Sequence, residues 1–206
     1  MVCWAVRRSG GKAVGLVLLL AALPPHPLTA QDTLPIGFGT LRRDDVALRF
    51  ATGEVELQVL PLDQDVIRLL APDTYRSLTA LLASRRADID TAAARAGLRT
   101  STPVMVTFLG VVPQARFSPD ELEITSRGKP FRPVGIVPLS PGWATLQLDA
   151  RQQAVAIYLF EEGITFREPV TVRYQGLTND AWGRSVTMLE RERARVQARA
   201  RAQRSP

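Results

Sequence analysis

Two acidic pairs, Asp63-Gln64-Asp65 and Asp88-Ile89-Asp90, have the D-x-D spacing that can hold a hard cation through oxygen. Neither is followed by the glycine and distal glutamate of a calcium loop. On a helix, residues two apart point in different directions, so Asp88 and Asp90 would not converge on one ion. Helix starts and solvated faces are the expected roles of these residues. The other carboxylate clusters are Asp120-Glu121 with Glu123, and Glu161-Glu162. A glycoside hydrolase would need two such groups roughly 5 to 10 Å apart across a cleft. Spacing along the chain supplies no such distance, and loop or outer-face charge is expected for them. Lys129 is the one lysine beyond residue 30 and sits beside Gly128 in a turn, a poor setting for a Ser-Lys dyad. Arg85-Arg86 could grip a phosphate or carboxylate, but they fall opposite the apolar stripe of their helix and read as solvated.

Recognition draws on other residues. The chain ends in ERERARVQARARAQRSP; counted from Arg184, the last 23 residues hold seven Arg and two Glu. If this segment is helical, Val186, Leu189 and Val196 form a thin apolar stripe, and Arg191, Arg195 and Arg199 stand four apart and repel one another. A helix with so narrow an apolar face is marginal alone. A solvated, frayed end is the first expectation, and its deletion would leave stability nearly intact. Attraction to anionic envelope lipid or polysaccharide, and docking onto an acidic partner protein, are the other two. Trp143, in SPGWA, and Trp182, in TNDAWG, lie in turn-like settings. There an aromatic ring either plugs the end of a fold or offers a flat surface to a sugar or partner.

The first 30 residues narrow the chemistry further. Arg7, Arg8 and Lys12 precede the apolar run Ala13 to Leu23, which is followed by PPHPLTA and Gln31. The run is about half of the roughly 20 residues that span a bilayer, and the prolines end it early. This reads as a signal peptide cleaved after Ala30, with no transmembrane segment afterwards and a secreted or periplasmic address. Cys3 and His26 are the only Cys and His. Their removal excludes disulfides, thiolate or imidazole metal sites, Cys-His pairs and Ser-His-Asp triads. No cofactor is expected. The formal charge of +6 also divides: residues 31 to 183 carry 16 basic against 18 acidic groups, so the basic balance belongs to the two ends. Export also takes the basic end away from its usual nucleic-acid partner, leaving an envelope protein or an anionic polymer.

The elements that must position these residues follow from period. Residues 31 to 44, punctuated by Gly and Pro, read as an extended leader. VALRFATGEVELQV alternates strictly about Thr52-Gly53, which predicts a hairpin with Phe50 opposite Val55, Leu48 opposite Leu57, and Arg49 opposite Glu56. Between about 63 and 97 the period becomes helical. Asp63 can cap a short first helix, Pro72 fits the first turn of a second, and Gly97 ends it. Strands then return: PVMVTFLGVV and QAVAIYLF are apolar on both faces, whereas ELEIT and PVTVRY alternate, with FRPVGIVPLS and ATLQL between them. Seven or eight short strands without interleaved helices predict an antiparallel sandwich over 45 to 183, followed by a basic segment from 184 to 206.

The order FSPDELEITSRGKPFRPVGIVPLS, AVAIYLF, PVTVRYQG resembles the immunoglobulin-like sandwich domains of exported bacterial proteins of unknown function. The resemblance covers roughly residues 102 to 175 and implies a fold without chemistry. The expectation is therefore a mainly β protein: an antiparallel immunoglobulin-like sandwich with a helical insertion and a C-terminal basic helix. It is exported, it is not an enzyme, and it acts as a binding or envelope-accessory protein. The competing classes are a carboxylate-dependent enzyme acting on carbohydrate and a structural subunit held to an anionic surface. Contacts with a partner or anion are assigned to Arg191, Arg195, Arg199, Trp143 and Trp182.

Overall fold

The computed structural model describes residues 34–204; the apolar leader and its cleavage point after Ala30 lie outside the described residues. A 3-10 turn at Arg43–Val46 leads into β1 (Leu48–Ala51) and β2 (Val55–Pro61), then three helices, α1 (Gln64–Ile67), α2 (Pro72–Ser84) and α3 (Arg86–Arg95). Next come β3 (Thr102–Gly110), β4 (Ala115–Arg116), β5 (Glu123–Ser126), β6 (Lys129–Phe131) and β7 (Gly135–Pro138). The chain ends with β8 (Gln147–Leu148), β9 (Gln153–Phe160), β10 (Val170–Tyr174), β11 (Leu177–Asn179) and the long helix α4 (Trp182–Arg204).

The named strands pair antiparallel in three sheets, ordered β1-β2-β3-β9-β7, β11-β10-β5-β6 and β4-β8. Alternation explains how the two larger sheets meet. Val170, Val172 and Tyr174 of β10 are buried, with Thr171 and Arg173 turned outward. Tyr174 lies 5.6 Å from Phe108 of β3, ring centre to ring centre. The Tyr174 hydroxyl accepts from the Ser118 backbone N–H at 3.1 Å, and the Tyr158 hydroxyl donates to the Pro119 carbonyl at 3.0 Å. Each buried phenol thereby keeps a polar partner, as desolvation requires.

The strands read as apolar on both sides are those at the centre of the first sheet. Ile157 and Leu159 of β9 are buried along with Ala156 and Tyr158. α3 packs on β7 and β9 through partly buried Ile89, Ala92 and Ala93. Gly135 allows this approach, since a Cβ there would stand 3.4 Å from both the Ala92 Cβ and a Leu159 methyl. The helices thus cover the side of β9 that the second sheet leaves open, which makes a third layer.

Several expectations are corrected. The first hairpin pairs Leu48 with Val59, Arg49 with Gln58 and Phe50 with Leu57. Its loop is Gly53-Glu54, because the Thr52 hydroxyl accepts from the N–H groups of Glu54 and Val55 and fixes Thr52 opposite Val55. The slip moves each partner by two residues, so the inward set is unchanged. The single helix after Pro72 breaks at Arg85, where the Ser84 hydroxyl donates to the Leu81 carbonyl and competes with the backbone ladder. Its end at Gly97 holds: Leu98 N–H reaches the Ala93 carbonyl and Gly97 N–H the Ala94 carbonyl, with Gly97 at φ +70°. FRPVGIVPLS divides between sheets, β6 in the second and β7 in the first. β11 has no counterpart among the expected strands; Gln175-Gly176, both at positive φ, turn the chain into it as Arg127-Gly128 do between β5 and β6.

The leader and the C-terminal segment are also integral to this body. Leu34 is buried, the Leu41 N–H donates to the Leu69 carbonyl, and the Ala71 N–H to the Leu41 carbonyl. Gly39 runs so close to the Leu69 and Leu70 backbone that no Cβ would fit. Leu189, Val196 and Ala200 of α4 are buried in the core. The expected frayed end is therefore a docked helix, because its thin apolar stripe meets a surface that the sequence alone does not display. Burial of a Leu or Val side chain is worth about 1.5–3 kcal/mol. Deleting residues 184–206 is expected to lower the Tm by about 10 °C or more, read by calorimetry, whereas a free end would leave it unchanged.

Candidate functional site

α4 follows directly from β11. Asn179 accepts from the Ala181 N–H at 2.8 Å and donates to the Arg49 carbonyl at 2.9 Å, which ties the helix start to β1. Trp182 then enters the core fully buried, its indole N–H donating to the Phe166 carbonyl at 3.1 Å. It is a core residue, and its assignment as a contact surface is corrected. Trp143 is half-buried, with its ring 5.3 Å from Phe117, 5.8 Å from Phe108 and 6.0 Å from Tyr158. It closes one end of the aromatic core and offers little face to a ligand.

At 100° per residue, Leu189, Glu192, Val196 and Ala200 share one side of α4, and Arg184, Arg191 and Arg195 share the opposite one. Glu192 is the unexpected member of the inner side, 1% exposed among apolar neighbours. Its Oε1 accepts from the Thr40 backbone N–H at 3.0 Å, the Thr40 hydroxyl at 2.8 Å and Arg199 Nη1 at 2.9 Å. Burial pushes this carboxyl up, but the bonds from Thr40 and Arg199 outweigh burial and hold it below the ordinary glutamate value. The other oxygen, Oε2, has no hydrogen-bond partner and lies 3.7 Å from Arg195.

Arg199 also donates to the Phe38 carbonyl at 2.7 Å, so it is turned inward and serves the fold. The expected repulsion along Arg191, Arg195 and Arg199 is relieved by Glu192 beneath them. Arg193, on the flank, approaches Asp63 and Asp65 closely enough to favour their ionised forms. Asp65 is held below the usual carboxylate range chiefly by Arg167, whose Nε stands 2.6 Å away; burial raises Asp63 despite the bond it accepts from the Asp65 N–H. The first D-x-D pair is thus a helix cap and an ion pair.

The remaining carboxylates are also engaged. Asp88 pairs with Arg85 at 3.5 Å and Asp90 with Arg86 at 3.1 Å. Glu161 lies 3.9 Å from Lys129, and Glu162 accepts from the Thr100 hydroxyl at 2.9 Å. Asp120, Glu121 and Glu123 do share one hollow of about 430 Å³, with Arg132 and Arg173. Glu123 is held there by both arginines, at 3.5 and 3.7 Å, across β6, β5 and β10. That arrangement neutralises a charge between strands and leaves no free acid and base facing each other.

What remains outward and ordered is the row Arg184, Arg191 and Arg195, which spans about 16 Å of helix at 1.5 Å per residue. All three are exposed. Arg184 was not among the assigned contacts, and Glu192 was not singled out; its place at i, i+3, i+7 with Leu189 and Val196 is the signal that marks it. Comparison with protein-family models, curated proteins and solved structures returns no match.

Glu192→Gln is expected to destabilise the fold by about 3 kcal/mol, since it leaves a partly buried guanidinium without its counter-charge. Because the folded-state pKa of Glu192 is lowered, its contribution is complete above the ordinary value of 4.5 and is lost as pH falls through the lower folded value. Urea melts of the two proteins should converge as the pH drops through that window; a constant gap would contradict the assignment.

Proposed function

We propose that the protein is an exported, non-catalytic binding module of the cell envelope, and that it engages an anionic polymer or surface through the outer face of α4. The observation that carries this reading is the docking of the helix. With Leu189, Glu192 and Val196 anchored, the guanidiniums of Arg184, Arg191 and Arg195 are held in register instead of sampling a coil, which lowers the entropy cost of contacting several anionic groups at once. Arginine suits this task, because its planar fork stays charged and meets carboxylate or phosphate in two bonds. The outer face lacks the Trp, Phe or repeated Leu of a helix that inserts into a bilayer, so the attraction is electrostatic.

The immunoglobulin-like sandwich belongs to the same reading. Two antiparallel sheets with facing apolar surfaces, and a V-x-V-x-Y strand whose tyrosine bonds the Ser118 backbone, support it; the α2–α3 layer and the small β4-β8 sheet are additions to that plan. Export rests on the apolar leader and its small-residue cleavage point.

Sedimentation with phosphatidylglycerol vesicles, and retention on an immobilised acidic polysaccharide, test the anionic contact. Binding is expected to fall steeply between about 50 and 500 mM salt. It should disappear in the triple variant Arg184→Gln, Arg191→Gln, Arg195→Gln, whose outward changes leave the Tm unaltered. Binding that persists in high salt or in this variant would overturn the reading.

A further inference from the structure

A groove of about 470 Å³ opens between α2, α3 and the segment that enters β3, on elements other than α4. Its apolar wall is Leu82, Ile89 and Ala93, each partly buried against the core. Its polar groups are unequally committed. Arg86 is held by Asp90 at 3.1 Å, and Thr100 donates to Glu162 at 2.9 Å. Arg99, also on the wall, has no ion pair or hydrogen bond among the described residues. Thr79 on α2 adds a second unmet demand: its hydroxyl oxygen is shielded from solvent and has no hydrogen-bond partner.

A shielded hydroxyl without a partner costs stability, and a lone guanidinium beside an aliphatic wall has no counter-charge within reach. One occupant answers both. A single uncommitted guanidinium matches a monoanion, and its planar fork matches a carboxylate in two parallel bonds. The wall is built from Leu, Ile and Ala without an aromatic ring, which suits a flexible aliphatic chain better than a planar ring. The volume falls within the range of small-molecule sites. We propose that this groove binds a medium-chain aliphatic carboxylate, its head group at Arg99 with the Thr79 hydroxyl as a further donor, and its chain along Leu82, Ile89 and Ala93. The site is separate from the basic face of α4 and does not depend on that face binding anything.

Isothermal titration of the full chain with octanoate, octanol and acetate tests the assignment. Octanoate is expected to bind one per chain, with octanol and acetate each weaker by about tenfold or more, since each lacks one half of the recognition. Arg99→Gln should bring octanoate to the level of octanol, and Thr79→Val should weaken it a few-fold without affecting octanol. Ala93→Trp, which fills the groove and leaves the charge in place, should remove both. Arg99 is exposed, so its variant keeps the test valid even if Ala93→Trp fails to fold. The proposal is overturned if octanoate produces no saturable binding, if octanol binds equally well, or if Arg99→Gln leaves octanoate affinity unchanged.

Discussion

A buried carboxylate sets the course of both ends of this chain. Glu192 reaches across 152 residues to the backbone and hydroxyl of Thr40, and Arg199 closes the arrangement by bonding both Glu192 and the Phe38 carbonyl. Taking a carboxylate out of water is costly unless its lone pairs are met, and three donors at 2.8 to 3.0 Å on one oxygen meet that demand. The consequence is directional. An apolar stripe of Leu189, Val196 and Ala200 would hold α4 against many surfaces, but only one placement also brings Thr40 and Arg199 to Glu192. Apolar burial supplies affinity for the body, and the polar triad supplies register.

That register decides what the opposite side of α4 can do. In a coil, the arginines would be separate flexible charges, each losing rotamer entropy on binding. On a helix fixed by its inner face, Arg184, Arg191 and Arg195 form a row whose spacing is set by the helix itself. The same docking also removes Arg199 and Trp182 from the surface. Residues of one type within one segment therefore divide into an inner structural set and an outer exposed set, although they look alike in composition.

The sheets depend on a related economy of partners. β3 and β9 are central in a five-stranded sheet and are covered by a second sheet on one side and by α3 on the other, so nearly every position along them is apolar. Charges are confined to outer positions and loops, where they pair locally: Arg127 with Glu168, Arg132 and Arg173 with Glu123, Arg167 with Asp65. Exposed pairs of this kind contribute little to stability. Their relevance here is that they occupy the carboxylates that a hydrolytic reaction would need.

Element type was legible from period alone. Alternation gave away β2, β5 and β10; the absence of alternation marked β3 and β9 as central; Asp63, Pro72 and Gly97 marked helix boundaries through capping chemistry that is local to a few residues. The inward faces were legible for the same reason, since a pleat has period two whatever its partner. Register was not, because Thr52 closing on Val55 outweighed the apparent Thr52-Gly53 turn through a side-chain hydrogen bond that composition does not reveal. The division of FRPVGIVPLS between two sheets, the covering of β9 by α3, and the docking of α4 were equally hidden. Each depends on contacts between residues tens of positions apart, for which local pattern holds no information. The inventory of the chain settled which chemistries were open to it; the folding of α4 onto Thr40 settled which arginines face outward.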